Sequence, residues 1–282
     1  MTTEAISPIG IFDSGYGGLT VFKEIAARLP QYDYLYLGDN ARTPYGTRSF
    51  ETVYQYTLQA VNWFFNRGCP LIILACNTAS AKALRSIQQQ DLPRMADPSK
   101  RILGVIRPTT EIIGEFTRSK KVGIMATNGT VSSGSYPIEI HKFWPGIEVH
   151  QQACPIWVPL VENNEYENEG ADFFIKKYVQ ELMEQSKDID TILLACTHYP
   201  LLKNKIQQVL PVGTTVLSQG EIVANSLEAY LERHPEMETR ISKHGSTAFY
   251  TTDNTADFNE KATVFFGKKI NSLHAKLPED GC

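Results

Sequence analysis

The sequence lacks most of the features that would point to a partner. Its 31 acidic and 27 basic residues leave a net charge of −4, so the basic excess of a nucleic-acid binder is missing. The densest basic spots, Lys120-Lys121 and Lys268-Lys269, are pairs only and read as solvated faces. Long apolar runs are also missing. Those around Leu71 to Cys76 and Ile192 to Cys196 are far too short to cross a bilayer. No basic start followed by an apolar stretch and a cleavage site marks an export signal. A cytoplasmic protein is expected, with neither nucleic acid nor membrane as a partner.

Cysteine is sparse and unpaired in pattern. The five cysteines, Cys69, Cys76, Cys154, Cys196 and Cys282, are an odd number at wide spacing, which argues against a disulfide framework. No C-x-x-C pair exists and no two histidines sit near a cysteine at zinc-ligand spacing, so no metal is expected. Cys69, Cys154 and Cys282 read as small buried hydrophobes. A phosphate-binding loop is absent too. Asp13-Ser-Gly-Tyr-Gly-Gly follows a strand, but without the dinucleotide spacing or a P-loop lysine. No lysine stands in a Schiff-base setting, and no cofactor is expected.

What is present is regular alternation. Apolar runs predict strands over 7–12, 33–37, 71–75, 102–105, 121–125, 148–153, 191–195, 215–217 and 247–251. Between them, helical spacing predicts helices over 15–29, 49–66, 78–90, 109–117, 132–143, 166–185, 201–209, 221–233 and 256–266. Such alternation argues for an α/β fold with parallel sheets covered by helices. The chain also echoes itself. Leu71-Ile-Ile-Leu-Ala-Cys76-Asn-Thr and Ile192-Leu-Leu-Ala-Cys196-Thr-His share an apolar strand, Ala, Cys and polar residues. Gly123-Ile-Met-Ala126-Thr-Asn-Gly likewise resembles Gly10-Ile-Phe-Asp13-Ser-Gly. Two pseudo-symmetric α/β domains facing a cleft are therefore expected. Residues 1–97, completed by 211–267, form the first, 98–210 the second and 268–282 a tail, with breaks at the polar, Pro-containing segments.

Ligands of parallel α/β sheets bind beyond the carboxyl ends of the strands. There, each of Cys76 and Cys196 is expected at the start of a helix, where free N–H groups favour an anion. Asn77, Thr78, Thr197 and His198 offer donors for a carboxylate, or else plain helix caps. Two matched thiols suit stereoinversion, in which one group removes a proton from a carbon while another supplies one to the opposite face. Each must approach to about 3–3.5 Å. Asp13 either orients a proton near one thiol or caps a helix. Glu162 is either a partly buried carboxylate or an exposed residue at a helix start. His198 beside Cys196 polarises that thiol or binds a carboxylate. His141, His150, His234, His244 and His274 have no such context and read as surface or packing residues.

These motifs resemble the glutamate racemases of the aspartate/glutamate racemase superfamily. The likeness runs from Ile9 to about Gly267 and rests on Gly10-Ile-Phe-Asp-Ser-Gly15, Pro44-Tyr45-Gly46, Ala75-Cys-Asn-Thr-Ala-Ser80, Val158-Pro-Leu-Val-Glu162 and Cys196-Thr-His-Tyr-Pro-Leu201. It implies cofactor-independent interconversion of L- and D-glutamate that supplies D-glutamate for peptidoglycan. Cys76 and Cys196 would be the acid/base thiols, helped by Asp13, Glu162 and His198. Asp13, Ser14, Tyr45, Gly46, Asn77, Thr78, Thr197 and His198 would hold the substrate. A homodimer, with the C-terminal segment returning to the first domain, is implied as well. Ser218-Gln219-Gly220 and Ala195 depart from the commoner pattern at positions that bear on the geometry around the site rather than on the thiols. The rival readings are a racemase of aspartate or another amino acid, a single-thiol decarboxylase, and a two-lobed ligand-binding protein without chemistry. A one-methylene difference in substrate is worth only about 1–3 kcal/mol, and a second cysteine argues against the decarboxylase.

Overall fold

Strand β1 (Ile9–Asp13) and its neighbours β2 (Tyr34–Gly38) and β3 (Leu71–Leu74) are buried along their whole length. Continuous apolar runs of this kind belong in the middle of parallel sheets, where helices cover both faces. The computed structural model describes residues 7–278. In it, β4 (Arg101–Gly104), β9 (Thr247–Thr251) and β10 (Ser272–His274) complete a six-stranded sheet of order β10-β9-β2-β1-β3-β4. A second sheet has the order β6-β5-β7-β8, from β5 (Lys121–Ala126), β6 (Glu148–Ala153), β7 (Thr191–Ala195) and β8 (Thr215–Leu217). Every pairing in both sheets is parallel.

The internal echo is topological as well as sequential. The run β2-β1-β3-β4 in one sheet corresponds strand for strand to β6-β5-β7-β8 in the other. In each half the order reverses between the first strand and the third, which makes a crevice at the carboxyl ends of that pair. Asp13 ends β1, and Cys76 lies two residues beyond β3. Thr127 and Cys196 directly follow β5 and β7.

Several expectations change. The boundaries set at 98 and 211 do not coincide with sheet membership, because β4 pairs with β3 (Ile72 against Ile102) and β8 pairs with β7 (Ile192 against Val216). Polar, Pro-containing composition marks any surface connection, not only a passage between sheets. The passages themselves lie one step later, through helix Ile106–Ile112 and helix Gly220–Arg233. The tail expected over 268–282 contributes β10, whose backbone continues the sheet through Ala275 N–H to the Thr251 carbonyl. Cys282 lies outside the described residues.

Helix boundaries shift for identifiable reasons. The first helix starts at Leu19 rather than 15, because residues 14–18 wrap the Asp13 carboxylate, which accepts from Gly15 N–H at 2.9 Å. The helix expected over 132–143 is split by Gly134 at φ +64°, a left-handed conformation that glycine adopts freely. A short helix, Trp157–Glu162, precedes the one expected over 166–185. No described helix is long and apolar enough to cross a membrane.

Candidate active site

Cys76 caps helix Asn77–Lys82, and its sulfur accepts from Ala79 N–H at 3.5 Å. Its thiol donates to Ser14 Oγ, also at 3.5 Å. The sulfur faces a fully buried carboxylate, that of Asp13. Burial pushes the Cys76 thiol up to about 12, and the Asp13 charge adds to the rise, while Ser14 and the Ala79 N–H oppose it. Such a group is a neutral acid at ordinary pH. A charge on Cys196 acts on Cys76 in the same upward direction, as the least of these influences.

The Cys196 environment is different in kind. A 3-10 turn, Tyr199–Leu202, follows it and leads into helix Lys203–Val209, so the α-helix and its dipole start at Lys203 rather than at Cys196. The compensating group is His198, whose Nδ1 lies 3.9 Å from Cys196 Sγ. Its Nε2 meets Glu162 Oε1 at 3.0 Å. Burial alone would depress the imidazolium, but Cys196 and Glu162 outweigh it and raise His198 to about 10. Glu162 is the last residue of its helix and only 16% exposed in its side chain. It is therefore neither at a helix start nor on the surface.

Asp13 joins the halves. One oxygen binds Gly15 N–H, and the other accepts from Thr197 Oγ1 at 3.4 Å. The Thr197 carbonyl accepts from Thr20 Oγ1 at 2.8 Å. Burial raises the Asp13 carboxyl, and the His198 charge holds the rise in check. It also accepts from the N–H of Gly18, the residue directly before helix Leu19–Arg28, so it meets the helix entry as well as the thiol site. The seam is tight: a Cβ on Gly17 would stand 2.3 Å from Thr197 Oγ1 and 2.5 Å from His198 Nδ1.

The remaining expected residues line this network. Thr78 Oγ1 lies 3.0 Å from Thr127 Oγ1 and 3.4 Å from Thr130 Oγ1. Gly46 abuts Thr127, where a Cβ would come within 2.8 Å. Tyr45 is buried with its hydroxyl on Asp39, so it serves as wall rather than as a free donor. Asn77 is held by Gln219 and Tyr136 at 2.7 and 2.5 Å. Thr127, Thr130, Tyr136 and Gln219 were not among the expected site residues. The echo of Asp13-Ser-Gly15 in Ala126-Thr-Asn-Gly pointed at Thr127, and nothing local marked Tyr136. Among the described residues, no three His, Cys, Asp or Glu side chains cluster as a metal would require.

Fold and site define a duplicated α/β protein with one buried thiol from each half in a shared polar network. Residues 14–227 match the family described as Asp/Glu/Hydantoin racemase, and the chain belongs to that family. A glutamate racemase of Geobacter metallireducens is 39% identical over 94% of this chain and 95% of its own length. One from a Ruegeria species is 39% identical over 93% and 97%. Among solved structures, a glutamate racemase isoform of Bacillus anthracis superposes with a TM-score of 0.87 at 31% identity, covering 98% of this chain and 99% of that one. A Francisella tularensis glutamate racemase in complex with D-glutamate gives 0.84 at 28% identity, covering 96% and 97%.

Two outcomes follow from the geometry. Gly17→Ala forces Thr197 and His198 apart, and overpacking of this kind costs about 1–3 kcal/mol. A lowered denaturation midpoint checks this, and an unchanged midpoint contradicts the tight seam. The raised His198 value sets a pH dependence: its stabilisation is complete below the free value of 6.5 and is lost as pH climbs through about 10. Denaturation midpoints across that window should fall less in His198→Gln than in the parent chain. Equal alkaline losses in both would show that His198 is not the group responsible.

Proposed function

We propose that the chain interconverts L- and D-glutamate by direct proton exchange between Cys76 and Cys196, and so supplies D-glutamate for peptidoglycan. The observation that carries this reading is the pair of thiols delivered by equivalent strands of the two halves into one buried network. Glutamate as substrate is supported by the near full-length relatives that bear that activity and by the related structure that holds D-glutamate.

The unequal surroundings of the sulfurs support different starting states. His198 provides the cation that a thiolate at Cys196 needs, whereas burial and Asp13 keep Cys76 protonated. The Cys196 thiolate takes the α-proton, and the electron pair left on the α-carbon is delocalised into the carboxylate. The Cys76 thiol then delivers its proton to the opposite face. The products are the inverted amino acid, a thiol at Cys196 and a thiolate at Cys76, and the other enantiomer runs the same steps backwards. Ser14, Asn77, Thr78, Thr197 and His198 supply donors for the substrate, while Tyr45 and Gly46 shape its wall. Asp13 and Glu162 act as polar helpers of the two thiols. The homodimer and cytoplasmic setting implied by the family belong to the same reading.

Cys76→Ala and Cys196→Ala should each lower racemisation by at least about 10²-fold, the low end for loss of a general acid or base, with the fold intact by circular dichroism. In deuterated water, product should carry deuterium at the α-carbon. Parent-like turnover in either variant, or product formed without deuterium, would rule out the two-thiol route.

A further inference from the structure

Gln219 is 3% exposed and stands directly before helix Gly220–Arg233, where the chain passes back from the second sheet to the first. Its Nε2 donates to the Val105 carbonyl at 3.0 Å and to Thr109 Oγ1 at 3.1 Å, both on the earlier passage. Tyr136 OH lies 2.9 Å from the same nitrogen, so the two hydrogens of that nitrogen are shared among three acceptors, one of them in a three-centre bond. Its Oε1 accepts from Asn77 Nδ2 at 2.7 Å, and Tyr136 OH donates to Asn77 Oδ1 at 2.5 Å. The three side chains thus form a closed ring of hydrogen bonds. Asn77 is the residue next to Cys76, and Tyr136 lies within electrostatic reach of Cys196.

The ring has only one workable direction. A backbone carbonyl can only accept, so the Val105 oxygen requires the amide nitrogen of Gln219 on its side. That orientation leaves Oε1 facing Asn77, which must answer with Nδ2. Tyr136 accepts from Gln219 and spends its own proton on Asn77 Oδ1. Both oxygens of the Asn77–Gln219 pair are then occupied within the ring. The Asn77 nitrogen carries two hydrogens, and the ring uses one. Asn77 therefore keeps one N–H free for a ligand, while its Oδ1 is held on Tyr136 OH.

Resting on the glutamate-racemase reading, we propose that Gln219 is a positioning residue for substrate binding. By tying its amide to the Val105 carbonyl, it locks Asn77 as a hydrogen-bond donor beside Cys76 and so favours a carboxylate there. It does not touch the reacting atoms. Its action is relayed through the amide of Asn77. A fixed donor binds the substrate carboxylate, whereas a freely flipping amide presents its oxygen to the same anion part of the time.

The test compares steady-state constants for both enantiomers in the parent chain, Gln219→Met, Asn77→Ala and the double variant. Gln219→Met keeps the side-chain length and removes both amide atoms. Its KM should rise roughly tenfold for each enantiomer, the scale of one hydrogen bond to a charged group. Its kcat should move by less than about threefold, as for loss of ground-state and transition-state binding together. In the Asn77→Ala background the Gln219 change should add less than about twofold, because residues acting through one contact are not additive. A purely structural role predicts losses that multiply and overturns the assignment, as does an unchanged KM in Gln219→Met. Should that variant fail to fold by near-ultraviolet circular dichroism, Tyr136→Phe replaces it with the same expected signature, since it removes one hydroxyl from the ring. A parent chain inactive on glutamate overturns both this assignment and the functional reading. An active parent with an indifferent Gln219→Met overturns only the former.

Discussion

Asp13 is a carboxylate with no exposure to solvent, and the protonation of its surroundings depends on keeping it dry. Away from water, charges interact over distances at which they would otherwise be screened. Burial and then the Asp13 charge hold Cys76 up as a thiol, and the imidazolium of His198 opposes the rise that burial imposes on Asp13. Glu162 and Cys196 in turn stabilise that imidazolium. Because Asp13 belongs to one sheet while Thr197 and His198 follow the other, the chain of dependence exists only while the two halves are closed on each other. Water entering the seam would weaken every one of these shifts together.

The duplication explains the paired thiols, but the chemistry depends on how the copies have diverged. Equivalent strand ends carry cysteine in both halves. One cysteine caps a short helix near a carboxylate, and the other precedes a 3-10 turn and lies beside a histidine. Identical surroundings would give two thiols of equal acidity. Unequal ones suit the proposed roles, with Cys76 as acid and Cys196, beside His198, as base.

Much of this was legible in the sequence, and the rest was not for physical reasons. Strand-length apolar runs placed β1, β2, β3 and β7 nearly to the residue, because strands buried on both faces tolerate little else. The repeated Ala-Cys motif located both thiols. Sheet membership of β4 and β8 was not legible, since a polar loop looks the same whether it turns within a sheet or leads out of it. Strand β10 is short, with Leu273 58% exposed, and gives no apolar run to notice. The Gln219 ring joins four stretches of chain far apart in sequence, so no local pattern encodes it. Between the two readings of Glu162, partly buried carboxylate or exposed helix start, sequence could not choose, because Trp157–Glu162 is a six-residue helix, too short to show periodicity.

The central claim is geometric: both sulfurs reach the same carbon from opposite sides. A crystal structure of the protein with glutamate bound tests it most directly. The account predicts Cys76 Sγ and Cys196 Sγ each about 3–3.5 Å from the α-carbon, the distance of a near-attack contact, on opposite faces of the plane through its other substituents. Either sulfur found on the same face as its counterpart, or turned away from the α-carbon, would contradict it.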